Sequence, residues 1–341
     1  MLALDLRFCW NPPKHPSKVH GQQHPANRSS QCSLIPVIAM LAPGQGSQSP
    51  GMLSPWLELP GTADRLAIWS KAAGLDLVRL GTTATAEEIT DTAVTQPLVV
   101  ASALLAFEEL ERRGELPAAF VAAGHSVGEL AAAAIAGVIT ADDAVTLAAI
   151  RGAEMAKACA LEPTGMSAVL GGDEEAVLAR LAELDLEPAN RNAAGQIVAA
   201  GLLTQLEELA ANPPEKARVR ALPVAGAFHT RFMGPAQDAV TEAASRIVPG
   251  DPTHTLLSNA DGQPVTSGAD ALSKLAAQVT RPVRWDLCSE YLRNAETTAV
   301  VELPPAGTLV GIAKREMKGT PTLALKTPAD LDGLAQFAQL V

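Results

Sequence analysis

Phe120-Val121-Ala122-Ala123-Gly124-His125-Ser126-Val127-Gly128-Glu129 is the stretch that decides how this chain folds. A short apolar run, Ala118 to Ala123, reads as a buried strand, and an alanine-rich helical run follows Leu130. Between them stands a G-x-S-x-G pattern, the sharp strand-to-helix turn that lifts a serine Oγ clear of the backbone. Backbone crowds such a turn, so the residues two before and two after the serine must be nearly free of side chain. Gly124 and Gly128 meet that need, and the helix start aims free N–H groups at any oxyanion formed on an acylated Ser126. A tight structural turn is the competing explanation of the same residues.

The totals set limits on the rest. A chain of 341 residues, 48% hydrophobic and 18% charged, is globular and long enough for one large domain or two. Aromatics are only 3%, so the core is expected to be built of small, closely packed residues. A net charge of −11 argues against a general nucleic-acid binder. No run of 18 apolar residues suggests a membrane span. Asp5 and Arg7 interrupt the first apolar patch, which makes a poor secretory signal. Cysteines 9, 32, 159 and 288 show no ligand spacing, and a reduced cytoplasmic enzyme is the simplest expectation.

Residues 1–36 differ from the remainder. They hold five prolines, three of the six histidines and a net charge of +3, leaving −14 on the other residues. An unstructured extension is expected, and translation starting near Val37 would omit it. A zinc site from Cys9, His15, His20, His24 and Cys32 is a weaker alternative, because the spacing is irregular.

From Val37 the pattern is α/β. Val37–Ala42 reads as a strand buried on both faces, followed by the glycine-rich loop Pro43–Gln48. Helices are expected at about 64–73 and 96–113, the second starting near Gln96-Pro97. Thr140 and Asp143 form a near capping box for a helix running to about Ala160. That helix carries Arg151 on an apolar face, which demands an anionic partner: either Glu154 in a plain salt bridge or something from outside the helix. From Gly165 to Val224 the order βαββαβ is that of a ferredoxin-like unit inserted in the larger body. A strand-like segment ending at His229 follows, then a helix to about Ile247, a strand near Thr255–Ser258, helices at 270–279 and 285–294, a strand Ala299–Leu303, and closing helices at 308–318 and 328–340.

A serine needs a base, and histidine is the usual one. Outside the extension only His125, His229 and His254 are available. His125 would have to fold back across the elbow, and His254 adjoins an apolar strand. His229, where the chain re-enters the main body, is the favoured base. No acid is obviously placed to orient it, but a backbone carbonyl can fix the same tautomer.

Together these residues resemble the bacterial malonyl-CoA:acyl carrier protein transacylases, acyltransferases of type II fatty acid synthesis. The resemblance runs from about Val37 to the end. It rests on Gly44-Gln45-Gly46-Ser47-Gln48, on Gly124–Glu129, and on Arg151-Gly152 twenty-five residues after the serine. Ala189-Asn190-Arg191-Asn192 with Gln196, Gly226–His229, and Gln278 before Pro282-Val283-Arg284-Trp285 complete it. It implies a hydrolase-like α/β body (37–162 and 226–341) carrying a ferredoxin-like subdomain (163–225). Ser126 would be the acylated nucleophile and His229 its base, held by the main-chain carbonyl of Gln278. Gln45 and the Val127 N–H would form the oxyanion hole, Arg151 would pair with the malonyl carboxylate, and Asn192, Phe228 and Gln278 would line the substrate site. Phe228 matches the malonyl-selective form of its motif. The implied reaction is ping-pong transfer from malonyl-CoA to the carrier protein's phosphopantetheine thiol. The implied enzyme is a cytoplasmic monomer using neither metal nor bound cofactor. Lys314-Arg315 and Lys216–Arg220 are candidate carrier-facing cations. Two features depart from the family: Pro304-Pro305-Ala306-Gly307 and the extension. A serine hydrolase or thioesterase, an acyltransferase of other acyl preference, and a non-catalytic scaffold are the rivals.

Overall fold

The computed structural model describes residues 37–339; the extension and the zinc alternative within it lie outside the described residues. The first strand, β1 (Ile38–Ala42), is buried at every position. After the glycine-rich loop come α1 (Thr62–Ala73), the short α2 (Leu77–Thr82) and the long α3 (Thr92–Arg113). The α3 helix starts at Thr92, ahead of the expected Gln96-Pro97, because the Asp91 side chain caps it by accepting the Ala93 N–H. Pro97 is therefore inside the helix and forfeits one backbone bond there. Among the described residues, α3 is the one helix long and apolar enough to cross a membrane. Its most apolar window is 78% buried by the protein itself, so it packs as a core helix.

β2 (Phe120–Gly124) leads through the elbow into α4 (Gly128–Ile135), and α5 (Ala141–Cys159) follows. The expected capping box at Thr140 and Asp143 is complete, with both reciprocal bonds made. Small residues let these helices approach closely. A Cβ added to Gly152 of α5 would lie 2.6 Å from the Thr92 carbonyl oxygen of α3. That close approach brings Arg151 beside the first turns of α3.

The inserted segment runs β3 (Thr164–Gly171), α6 (Glu174–Glu183), β4 (Glu187–Ala193), β5 (Gln196–Leu202), α7 (Leu203–Ala211) and β6 (Ala217–Ala221). Its strands pair antiparallel in the order β4-β5-β3-β6, the ferredoxin-like arrangement. Alternation divides the sheet's two faces. Val169, Ile197 and Ala199 pack on α6 and α7 through Val177, Leu181, Leu206 and Leu209. Met166, Val198 and Ala200 face the core of the larger body.

The chain then passes residues 226–229, which form turns in place of the expected strand, since no neighbouring strand pairs with them. It continues through α8 (Gly234–Ala244), β7 (Thr255–Leu256), α9 (Gly268–Ala277), α10 (Trp285–Asn294), β8 (Ala299–Glu302), α11 (Thr308–Glu316), β9 (Thr322–Ala324) and α12 (Asp332–Gln339). Strands β7-β2-β1-β8-β9 form one parallel sheet. In such sheets the ligand crevice lies beyond the carboxyl ends of the strands, which is where β1 and β2 deliver the Pro43–Gln48 loop and Ser126. Glu302, ending β8, accepts the N–H groups of Gly307, Leu309 and Val310, which fixes the start of α11 across the diverging Pro304–Gly307 loop.

Candidate active site

The elbow is crowded backbone against backbone. A Cβ on Gly124 would stand 2.0 Å from the Gly128 carbonyl oxygen, and one on Gly128 would stand 2.3 Å from that of Ala42. Neither neighbour can yield without moving helix α4 or strand β1, so both positions require glycine. Ser126 is held at φ 54°, a left-handed conformation that costs a non-glycine residue about 1–3 kcal/mol and persists only where surroundings enforce it. Asn259 does much of the enforcing. Its Oδ1 accepts the Ser126 N–H at 2.8 Å, and its Nδ2 donates to the Gly124 carbonyl at 2.7 Å.

His229 is the histidine that meets the serine. Its φ of 60° turns the ring inward, and Nε2 lies 2.7 Å from Ser126 Oγ. Nδ1 lies 2.8 Å from the Gln278 carbonyl oxygen, which can only accept. Nδ1 therefore carries the proton and Nε2 is free to take one, the tautomer of a general base. Burial, and then the nearby Arg151 charge, lower its pKa to about 3, so the ring is neutral at ordinary pH. His125 does not reach the serine hydroxyl; its Nε2 pairs with Asn192 Oδ1 at 2.8 Å. His254 stacks on Phe120 at 4.0 Å between ring centroids.

Arg151 settles the alternative left open on its helix. Glu154 pairs instead with Lys157 at 2.7 Å, and Arg151 points inward, 2% exposed. Its Nη1 donates to Gln96 Oε1 at 2.6 Å, and its Nη2 to Gln278 Oε1 at 3.0 Å and towards Ser126 Oγ at 3.4 Å. Nε has no partner. Burial lowers the guanidinium pKa to about 10, and Glu129 opposes this, so it stays cationic at neutral pH. A buried cation whose hydrogen-bond partners among the described residues are neutral, beside a nucleophile, offers an anion strong hydrogen bonds in a poorly solvated place.

These groups face one cavity of about 440 Å³. Gln45, Val127, Asn192 and Phe228 line it with them, and Gly307, Thr308 and Arg315 lie on its α11 side. Neither the Gln45 nor the Val127 backbone N–H is engaged by another main-chain group among the described residues, which leaves both free for an oxyanion. The Gln45 side chain is tied to Thr92 Oγ1 at 3.2 Å. Gln278 sits just beneath the cavity, its carbonyl on His229 and its amide on Arg151. The cations divide. Arg315 reaches Gln196 Oε1 at 2.8 Å, whereas Arg218 and Arg220 are exposed on the edge strand β6. Asn259, Gln96 and Glu129 escaped functional notice in the sequence. Only Glu129 stood in a motif, and the spacing of the others carries no chemical signature. Among the described residues, no three His, Cys, Asp or Glu side chains gather as a metal site would need.

The family model described as "Acyl transferase domain" matches residues 40–330. The malonyl CoA-acyl carrier protein transacylase of Mycobacterium tuberculosis is 70% identical over 302 residues, 88% of this chain and 100% of its own. The crystal structure of MCAT from Mycobacterium tuberculosis superposes with a TM-score of 0.86 at 70% identity, covering 88% of this chain and 99% of that one. A type II PKS acyl-carrier protein in complex with its malonyl-transacylase contains a similar chain, with a TM-score of 0.81 and 29% identity over 88% of this chain and 99% of that one.

Proposed function

The chain belongs to the malonyl-CoA:acyl carrier protein transacylases and transfers malonyl from malonyl-CoA to acyl carrier protein, and we propose that Ser126 carries the group between the two thioesters. His229 Nε2 takes the Ser126 proton as Oγ attacks the malonyl thioester. The resulting oxyanion is met by the N–H groups of Val127 and Gln45. Collapse expels coenzyme A, whose sulfur takes the proton back from His229, and malonyl-Ser126 remains. The carrier protein's pantetheine thiol then gives its proton to His229 and attacks the ester carbonyl; collapse breaks the bond to Ser126 Oγ, which recovers the proton from His229 Nε2, and the carrier leaves as the malonyl thioester. Both halves pass through the same oxyanion, so one set of donors serves both. One chain supplies every group named, so a monomer suffices, and the steps need no metal or organic cofactor.

The observation that carries this assignment is Arg151. Its guanidinium is buried, and among the described residues its terminal nitrogens meet two amide oxygens and, at 3.4 Å, Ser126 Oγ. This supports pairing of the guanidinium with the free carboxylate of an acyl group on that serine, through two parallel bonds. Phe228 forms an apolar wall of the same cavity. A hydrolase shares the elbow and base, so acceptor choice separates the readings. With malonyl-CoA and holo carrier protein, malonyl-carrier should accumulate much faster than free malonate. Malonate released at the same rate with and without carrier would identify a hydrolase.

A further inference from the structure

The mechanism leaves unused a buried acid next to the nucleophile. Glu129 closes the elbow motif, is 3% exposed, and lies one side chain away from Arg151. One of its oxygens accepts the Asn259 N–H at 3.1 Å, and the other accepts from Gln278 Nε2. The far end of that amide, Oε1, faces Arg151 Nη2 at 3.0 Å. The titratable groups around this cluster are Arg151 on α5, His229 and His125 at the nucleophile, and Cys288 on α10, whose thiol burial keeps protonated. Glu129 is thus the acid whose charge acts on Arg151, set back from it by the length of the Gln278 amide.

We propose that Glu129 is the resident counter-charge of Arg151, and that it takes a proton from solvent when a malonyl carboxylate pairs with the guanidinium. This rests on the assignment of Arg151 to that carboxylate. An empty site holds one positive and one negative charge. Malonyl adds a second negative charge to the same dry cluster, and neutralising Glu129 removes the excess. Burial already raises the Glu129 pKa to about 7, within reach of such a change. Protonation need not disturb the clamp. Gln278 Nε2 is also held by the Ser126 carbonyl and by Asn259 Oδ1, both at 3.1 Å, so the amide keeps its Oε1 towards Arg151. The role is therefore electrostatic: Glu129 acts through Gln278 as a positioning and specificity residue, without touching substrate.

The test compares malonyl with acetyl loading at equilibrium. Enzyme is mixed with each acyl-CoA and free CoA, and the loaded fraction is read by intact mass. By linkage, the malonyl-over-acetyl loading constant should rise about tenfold from pH 8.5 to pH 6.5. In weakly buffered solution at pH 7.5, malonyl loading should take up most of a proton more than acetyl loading. Glu129→Gln should abolish both effects. A flat ratio in the wild-type enzyme would refute the proposal whether or not the variant folds. Uptake that persists in Glu129→Gln would move the proton to His229 and refute it as well. Arg151→Ala is the control. If it leaves the malonyl preference intact, the carboxylate assignment itself fails; if it abolishes the preference while wild-type enzyme takes up no proton, only the Glu129 proposal fails.

Discussion

Changing His229 to alanine lowers the single-turnover rate of malonyl loading by about 10⁴-fold or more, the scale on which serine–histidine sites lose activity without their base. The geometry gives the reason. The Nε2 at 2.7 Å from Ser126 Oγ is the proton acceptor in reach of that hydroxyl, since His125 is turned to Asn192. Arg151, the other group near the hydroxyl, is already protonated and cannot accept. Loss should appear in both half-reactions, because in the proposed mechanism the same nitrogen protonates departing coenzyme A and deprotonates the incoming carrier thiol. Stopped-quench loading with labelled malonyl-CoA checks this. A variant within tenfold of wild type, folded by circular dichroism, would remove His229 from the role of base.

Arg151→Ala separates malonyl from acetyl. Truncating one partner of a buried charged pair costs about 2–5 kcal/mol, which is roughly 30- to 4,000-fold in loading efficiency for malonyl-CoA. Acetyl-CoA has no carboxylate to lose, so its kcat/KM should change by less than about tenfold. The preference between the two therefore collapses. A secondary effect runs through His229, whose pKa the Arg151 charge helps to depress. Without that charge the imidazole titrates at higher pH, so acetyl loading by the variant should start to fall at a higher pH on acidification than in the wild-type enzyme. Equal losses for both acyl groups would remove the carboxylate-pairing role and reduce Arg151 to a structural cation.

Local signals in the sequence foretold much of this, and tertiary contacts account for what they did not. The elbow was legible because its constraint is local: two glycines two residues either side of a serine, between a strand and a helix. The Thr140–Asp143 cap and the βαββαβ order were legible for the same reason, since propensity and periodicity act over short spans. The start of α3 was obscured by Pro97, because a proline near a helix start ordinarily marks its first turn. Strand β9 spans only Thr322–Ala324 and owes its existence to pairing with β8, while α2 is six residues long. The segment before His229 carries strand-like residues but no strand to pair with, and the left-handed φ of His229 breaks it. Asn259 and Gln96 act across the fold, on residues 133 and 55 positions away, and a separation of that length leaves no pattern in sequence.

In the proposed mechanism Ser126 holds malonyl as a covalent ester between donor and carrier. Brief exposure of the enzyme to malonyl-CoA, acid quench, intact-mass measurement and peptide mapping address it directly. One malonyl group per chain is expected, on Ser126, discharged by holo carrier protein and absent in Ser126→Ala. A malonyl group on any other residue, or full transfer by Ser126→Ala, would contradict it.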